Sequence, residues 1–346
     1  LMENQFIQIE SFPQKDDPSN RIFFEAKLST CIYIVKKANS SNPLIIRIHP
    51  GKEILESSVP IEISTKEIKA LDSENLSFPS HPNIKKDDII LALKLAKVSD
   101  GFGLRDYAPS QQGEVNLTTH GECLSDKPIG PEVLRGAHVG RYEFHEEPKQ
   151  GEPKYLDISN YLKGKCADSK AFDHKKLRIG YQRGSAIDNW RRIIATTIEP
   201  NNFCSDTINY IVESHDLNLY AILALLNSGV LEWRFRLTST NNHVNSYEID
   251  TLPLPKISFT TTENLRREAI KSFKSLYQTF KYDGIIAGVK TCLPEKSDIV
   301  HDLLAYLAEQ MIEMNEKKNE EIKGFMKWFE REIGVEIDNL ANKTAI

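Results

Sequence analysis

The sequence predicts an α+β fold, a mixed β-sheet-rich domain followed by a C-terminal helical segment. Three observations carry this. Short β-branched runs recur between residues 31 and 213 and are separated by turn-forming residues. After residue 216 the apolar positions switch to helical spacing. No strand–helix–strand repeat of a parallel α/β sheet is visible.

Residues 1–42 contain Cys31-Ile32-Tyr33-Ile34-Val35, a run of strand length stopped by Lys36-Lys37. A strand apolar on both sides belongs inside a covered sheet, so its sheet mates are expected upstream of residue 1. Asn39-Ser40-Ser41-Asn42-Pro43 breaks the chain. The next unit, residues 43–260, offers strands over 44–48, 59–63, 177–182, 193–198 and 207–213. It also offers a short helix over 87–97 and a loop over 101–106. Residues 110–130 are rich in Gly, Ser, Thr and Pro and read as an exposed connection. Over 216–226, Leu219, Ile222, Leu223 and Leu226 share one helix face, and Asn227-Ser228-Gly229 ends that helix. An amphipathic piece with Trp233, Arg234, Phe235 and Arg236 follows, then a polar Asn-rich loop, then Leu252-Pro253-Leu254-Pro255.

The last unit, residues 261–346, is helical. Residues 262–281 place Leu265, Ala269, Phe273, Leu276 and Phe280 on a stripe. Ser297 is a plausible N-cap with Asp298 in the first turn. Val300, Leu303, Leu304, Leu307, Met311 and Met314 continue from there. A charged block over 313–323 interrupts the stripe, and Phe325, Met326, Trp328, Phe329 and Ile333 resume it before Gly334, a C-cap candidate. This predicts a long amphipathic helix or an αα-hairpin.

The chain has 346 residues, 40% hydrophobic and 27% charged, which suits two or three domains with a sizeable core. A net charge of −5 argues against holding nucleic acid by bulk charge, while leaving room for a local basic face. The five cysteines include no CxxC pair, which points to a reducing cytoplasm with neither a disulfide framework nor a zinc site. No apolar run is long enough to span a bilayer, and the polar N-terminus lacks a secretory signal. The opening Leu1-Met2 suggests a piece of a longer protein.

Several side-chain patterns bear on chemistry. The nine histidines form no HxH or HExxH pair, so no metal site is expected. Asp16, Asp17, Glu25 and Lys27 resemble the carboxylate–lysine set of a Mg²⁺ nuclease. The same ExK spacing recurs at Glu147, Glu152, Glu316 and Glu321, so the motif is cheap here. A methyl-transfer site would need a Gly-rich cofactor turn and an Asn-Pro-Pro-Tyr-type clamp, and this chain has neither. Three clusters suit DNA instead. The first is Gln182, Arg183, Asn189, Arg191 and Arg192, with Trp190 expected in the core. The second is Arg135, His138, Arg141 and Tyr142. The third is the nearly uncharged loop over 238–246, with Asn241, Asn242 and His243. Arg pairs bidentately with guanine, and Asn or Gln with adenine, in the major groove.

Taken in order, Leu134-Arg135-Gly136-Ala137-His138-Val139-Gly140-Arg141-Tyr142, Arg178-Ile179-Gly180-Tyr181-Gln182-Arg183, Ala195-Thr196, Ser205-Asp206-Thr207, the Leu-Leu-Asn-Ser turn at 225–228 and Leu252-Pro253-Leu254-Pro255 resemble a known family. It is the TaqI-like C-terminal specificity, or target-recognition, domain of adenine-N6 DNA methyltransferases and type IIG restriction-modification enzymes. Residues 21–37 resemble the final strands of the methyltransferase domain that precedes it, and residues 290–346 a tail of larger restriction–modification polypeptides. The resemblance implies that double-stranded DNA is the partner and that this chain chooses the sequence. It further implies that S-adenosylmethionine binds a methyltransferase domain lying upstream, with no cofactor in the present chain. Two rival readings are a Mg²⁺ nuclease using Asp17, Glu25 and Lys27, and a protein–protein adaptor built on the C-terminal helix.

Overall fold

The computed structural model describes residues 4–336 apart from 15–16, 26–28, 39–41, 82, 149 and 213–216. It is an α+β fold that ends in a helical segment. The first sheet has the order β2-β1-β3-β4, from β1 (Gln5–Phe12), β2 (Thr30–Lys36), β3 (Leu44–Ile48) and β4 (Ile61–Ile63). β1 pairs antiparallel with β2 and parallel with β3. The sheet therefore crosses residue 42. Alternation in β3 and β4 turns Leu44, Ile46, Ile48, Ile61 and Ile63 inward. They pack with Ile89 and Ala92 of α2 (Lys86–Ser99), and with Leu71 of α1 (Thr65–Leu71), whose Ser64–Glu67 capping box fixes its start.

β2 departs from expectation. Its partner is β1 rather than a strand upstream of residue 1, and it lies at the sheet edge with Tyr33 62% exposed. The apolar run marks strand propensity, and the covering layer inferred from it is absent among the described residues.

A second four-stranded sheet, antiparallel throughout, has the order β7-β6-β8-β5. Its strands are β5 (Ser110–Gln112), β6 (Arg178–Gln182), β7 (Ala195–Ile198) and β8 (Ile208–Val212). One face buries Ile179, Tyr181, Ala195 and Ile211 against α4 (Leu219–Leu226) and α5 (Gly229–Thr238). Asn218 caps α4 by accepting from the Tyr220 N–H at 2.8 Å, and Ser228 caps α5 by accepting from Leu231 N–H at 3.2 Å. The other face is built around an ion pair. Arg178 Nη1 donates to both oxygens of Glu114 at 3.0 and 3.1 Å, and both side chains are fully buried. Cys204 N–H donates to Glu114 Oε1 at 3.1 Å, and the guanidinium lies over the Tyr210 ring at 4.8 Å. Within 110–130, residues 113–115 and 123 are thus buried, whereas 126–130 are exposed as expected. Glu114 turns inward to meet Arg178, and Val115 and Cys123 follow it into a core with Phe203 and Tyr161.

The segment 252–255 closes the unit. Leu104 N–H donates to Leu252 O, and Leu254 N–H to Phe102 O. Gly103 permits this approach, since a Cβ there would stand 2.7 Å from Asp250 O. Two shorter helices, α3 (Ile158–Leu162) and α6 (Ser246–Asp250), cap the sides. The C-terminal segment holds α7 (Glu263–Gln278), α8 (Tyr282–Cys292) and α9 (Ser297–Ile333). The sequence gives no sign of α8, because Gly284 and Gly288 dilute its pattern. Those glycines let Leu276 and Phe273 of α7 press against α8. α9 is one continuous helix of 37 residues, about 55 Å long, ending on Gly334 at φ 68°. Ala308, Met311 and Ile312 join it to the core around α4. Among the described residues no helix is long and apolar enough to cross a membrane.

The N-terminus of α9 is pinned by Asp298, which accepts from Thr261 N–H at 2.7 Å, Thr261 Oγ1 at 2.8 Å and Ile299 N–H at 2.9 Å. Burial alone would raise this carboxyl, but the three hydrogen bonds hold it below the ordinary range. A depressed folded pKa contributes stability that is complete above about pH 4 and is lost as pH falls through the lower folded value. Chemical denaturation of the wild type should therefore steepen its loss of stability below about pH 4, and Asp298→Asn should flatten that acid limb. Identical acid limbs would contradict this assignment.

Candidate nucleic-acid interface

Antiparallel pairing brings four strand ends to one edge of the second sheet. Tyr181 faces Ala195, Gln182 faces Ile208, and Asn209 faces Gln112. The C-terminal ends of β6 and β5 therefore lie beside the N-terminal ends of β7 and β8. Gln182, Arg183, Arg191, Arg192 and Thr207 all emerge there. The turn over 139–144 docks on the same edge, through Gln182 Nε2 donating to Val139 O at 2.6 Å and Tyr142 N–H donating to Ala195 O at 3.0 Å. Tyr142 holds φ 57°, a left-handed conformation uncommon for a bulky residue. Its ring is buried, with the Arg141 guanidinium 5.5 Å from the centroid.

The Asn-rich loop lies across the loop that joins β6 to β7. Val244 N–H donates to Arg183 O at 2.7 Å, Ser185 N–H to Asn242 O at 2.9 Å, and Ile187 N–H to Asn242 Oδ1 at 3.3 Å. Gly184 and His243 form a β-bridge. Two clusters distant in sequence thus become one surface, with Asn189 and His243 exposed and Asn241 and Asn242 half-buried. Asn241 Oδ1 accepts from His243 N–H at 2.8 Å, which shapes the turn.

Arg192 is not part of that surface. It is 1% exposed, and its guanidinium donates to Ser239 Oγ at 2.8 Å, Ser185 O at 3.2 Å, Asn241 O at 2.5 Å and His243 O at 3.4 Å. It stacks 5.0 Å from the Phe235 centroid. Burial depresses its pKa to about 10, which leaves it charged at neutral pH. Arg192 therefore builds the loop instead of reading a base. Arg135 is also turned inward, 3.8 Å from Glu132 and packed against Gly151.

Trp190 reverses its expected place: it is 87% exposed, at the tip of the loop that Arg192 anchors. Arg141 Nη2 donates to Asn227 O at 3.0 Å, and Arg191 to Ile193 O at 3.0 Å and Ser228 O at 2.9 Å. Arg183 reaches Asp206 O at 3.4 Å. These acceptors are neutral carbonyls. Among the described residues, Arg141, Arg183 and Arg191 make no ion pair, although the Glu232 carboxylate acts on Arg191 from a longer distance. Partial burial and the neighbouring Arg141 together lower the Arg191 pKa, as expected for two like charges on one edge.

The sequence does not single out the residues that hold this edge from behind. Buried Glu232 accepts from Arg192 N–H at 3.0 Å and Ile193 N–H at 2.8 Å. Buried Asn227 exchanges bonds with the Ala195 backbone at 2.9 and 3.3 Å. Arg236, paired with Glu232, donates to Ile187 O and Asn189 O at 3.1 and 2.5 Å. A polar residue inside an apolar helix stripe is the available signal for such positions.

The nuclease set lies only partly within the described residues. Asp17 caps its own short helix, accepting from Ser19 and Asn20, and Glu25 is exposed. Asp16 and Lys27 lie outside the described residues. Among the described residues no group of three His, Cys, Asp or Glu side chains could hold a metal ion.

No protein-family model and no curated protein matches the chain. Its structural neighbours are restriction–modification enzymes. One is the type IIL restriction-modification enzyme MmeI in complex with DNA, at 12% identity and TM-score 0.41 over 90% of this chain and 42% of that one. A type I restriction–modification chain gives 10% and 0.30 over 90% and 92%. The type IIG restriction endonuclease BpuSI gives 10% and 0.28 over 76% and 38%. The chain spans less than half the length of the MmeI chain it is matched to.

Replacing Arg192 by Met should leave the carbonyls of Ser185, Asn241 and His243 without their donor. A loss of about 2–4 kcal/mol in urea denaturation is expected. Backbone amide exchange over 239–244 should accelerate with it. Unchanged exchange there would show that Arg192 does not organise the loop.

Proposed function

We propose that this chain is the sequence-recognition portion of a restriction–modification enzyme that modifies adenine N6 in double-stranded DNA. The carrying observation is the convergence of Gln182, Arg183, Asn189, Arg191, Arg141, Asn242 and His243 on one sheet edge, with three arginines that make no ion pair among the described residues. Such an edge suits a polyanion: the guanidinium groups take phosphates and set register, and the amides offer donors and acceptors to base edges. The buried layer of Arg192, Glu232 and Asn227 holds the edge rigid, which recognition of base edges requires. The chain lacks a cofactor turn and an adenine clamp, so methyl transfer and S-adenosylmethionine belong, in this reading, to a methyltransferase domain upstream. The cell compartment that fits this reading is the cytoplasm.

Fluorescence anisotropy with labelled duplex tests the proposal. Binding should weaken with salt, and Arg141→Ala, Arg183→Ala and Arg191→Ala should each weaken it and reduce the salt slope by about 1. Absence of binding at low salt, or wild-type affinity in all three variants, would defeat it.

A further inference from the structure

Trp190 combines two properties that oppose each other. Its ring is 87% exposed, and among the described residues no aromatic ring or cation covers it. The backbone that presents it is nonetheless tightly held. Arg236 donates to the carbonyls of Ile187 and Asn189, one of them directly before Trp190. Asn189 N–H donates to Ala186 O at 3.2 Å, and its side chain to Ser185 Oγ at 3.3 Å. Arg191, directly after it, is fixed to Ile193 O and Ser228 O. The exposure is therefore built into the loop.

Leaving a large aromatic surface in water forgoes its burial energy. The flanks indicate what could recover it. Arg141, Arg183 and Arg191, none of them in an ion pair among the described residues, lie on the same edge, and they outnumber the exposed carboxylate of Asp188 on the loop itself. An exposed flat ring on a loop whose sheet edge carries arginines matches a nucleobase attached to a phosphate backbone.

We infer that Trp190 is a stacking residue that takes the face of an unstacked nucleobase, so that this edge favours DNA in which one base is free of its pair. This rests on the DNA-recognition reading above. A rigidly presented ring cannot reach a base face inside a regular duplex, and it meets one wherever pairing is broken. It fills the gap beside the displaced base while the arginines hold the flanking phosphates.

The test compares two short duplexes of the same sequence, one fully paired and one with a single mismatched pair, bound by the full chain. The wild type should bind the mismatched duplex about tenfold more tightly. Trp190→Ala should bring that ratio to about one while keeping the paired-duplex affinity within about twofold, and Trp190→Phe should retain part of the preference. In a background with both Trp233→Phe and Trp328→Phe, emission from Trp190 should be quenched more by the mismatched duplex. Equal binding of both duplexes, or an unchanged ratio in Trp190→Ala, would overturn this inference and leave DNA recognition standing. Failure to bind either duplex would remove both.

Discussion

The Arg192 guanidinium is the constraint on which the candidate interface depends. It is a buried cation whose partners are three backbone carbonyls, one hydroxyl and an aromatic face. A charge in that position is costly unless its donors are used, and this one uses several. The acceptors come from two loops about fifty residues apart, so satisfying the arginine forces the loops together. Glu232 completes the arrangement by taking the Arg192 and Ile193 N–H groups, which ties the strand end to α5. The two loops are thus tied to a helix and a sheet.

The elements were legible where local pattern suffices. The β-branched runs of β6, β7 and β8, the stripe of α4 and the stop at Gly334 each depend on neighbours a few residues away. What could not be read depends on distant partners. In Trp190-Arg191-Arg192, nothing local says which side chain goes inward. The choice is made by carbonyls at Ser185, Asn241 and His243 and by the Phe235 ring. The tryptophan expected in the core is outside, and an arginine expected outside fills that place. Residues 110–130 misled for the same reason: Glu114 looks like a surface carboxylate until Arg178 is placed beside it. α8 was hidden because Gly284 and Gly288 serve close packing against α7 rather than helix propensity.

The net charge of −5 and an arginine-bearing sheet edge are compatible because the two signs occupy different places. Several carboxylates are already spent. Glu232 and Glu263 serve arginines on their own helices, and Asp298 serves Thr261 and Ile299. Glu143 and Glu146 face Lys318 and Lys323 of α9. The arginines at the sheet edge bond only to neutral oxygens, so their field survives at short range, where exposed charges act before salt screens them.

The left-handed turn at Tyr142 has a mechanical consequence. Arg141 precedes it and reaches the α4–α5 junction, while Glu143 follows it and holds Lys318 and Asn319 on α9 at 3.0 and 2.9 Å. The buried ring and the bond to Ala195 O hold the turn against the sheet. The turn therefore ties the middle of α9 to the α4–α5 junction across the two residues that flank Tyr142. The last helix of the chain is thus linked, through one turn, to the sheet edge that the loops share.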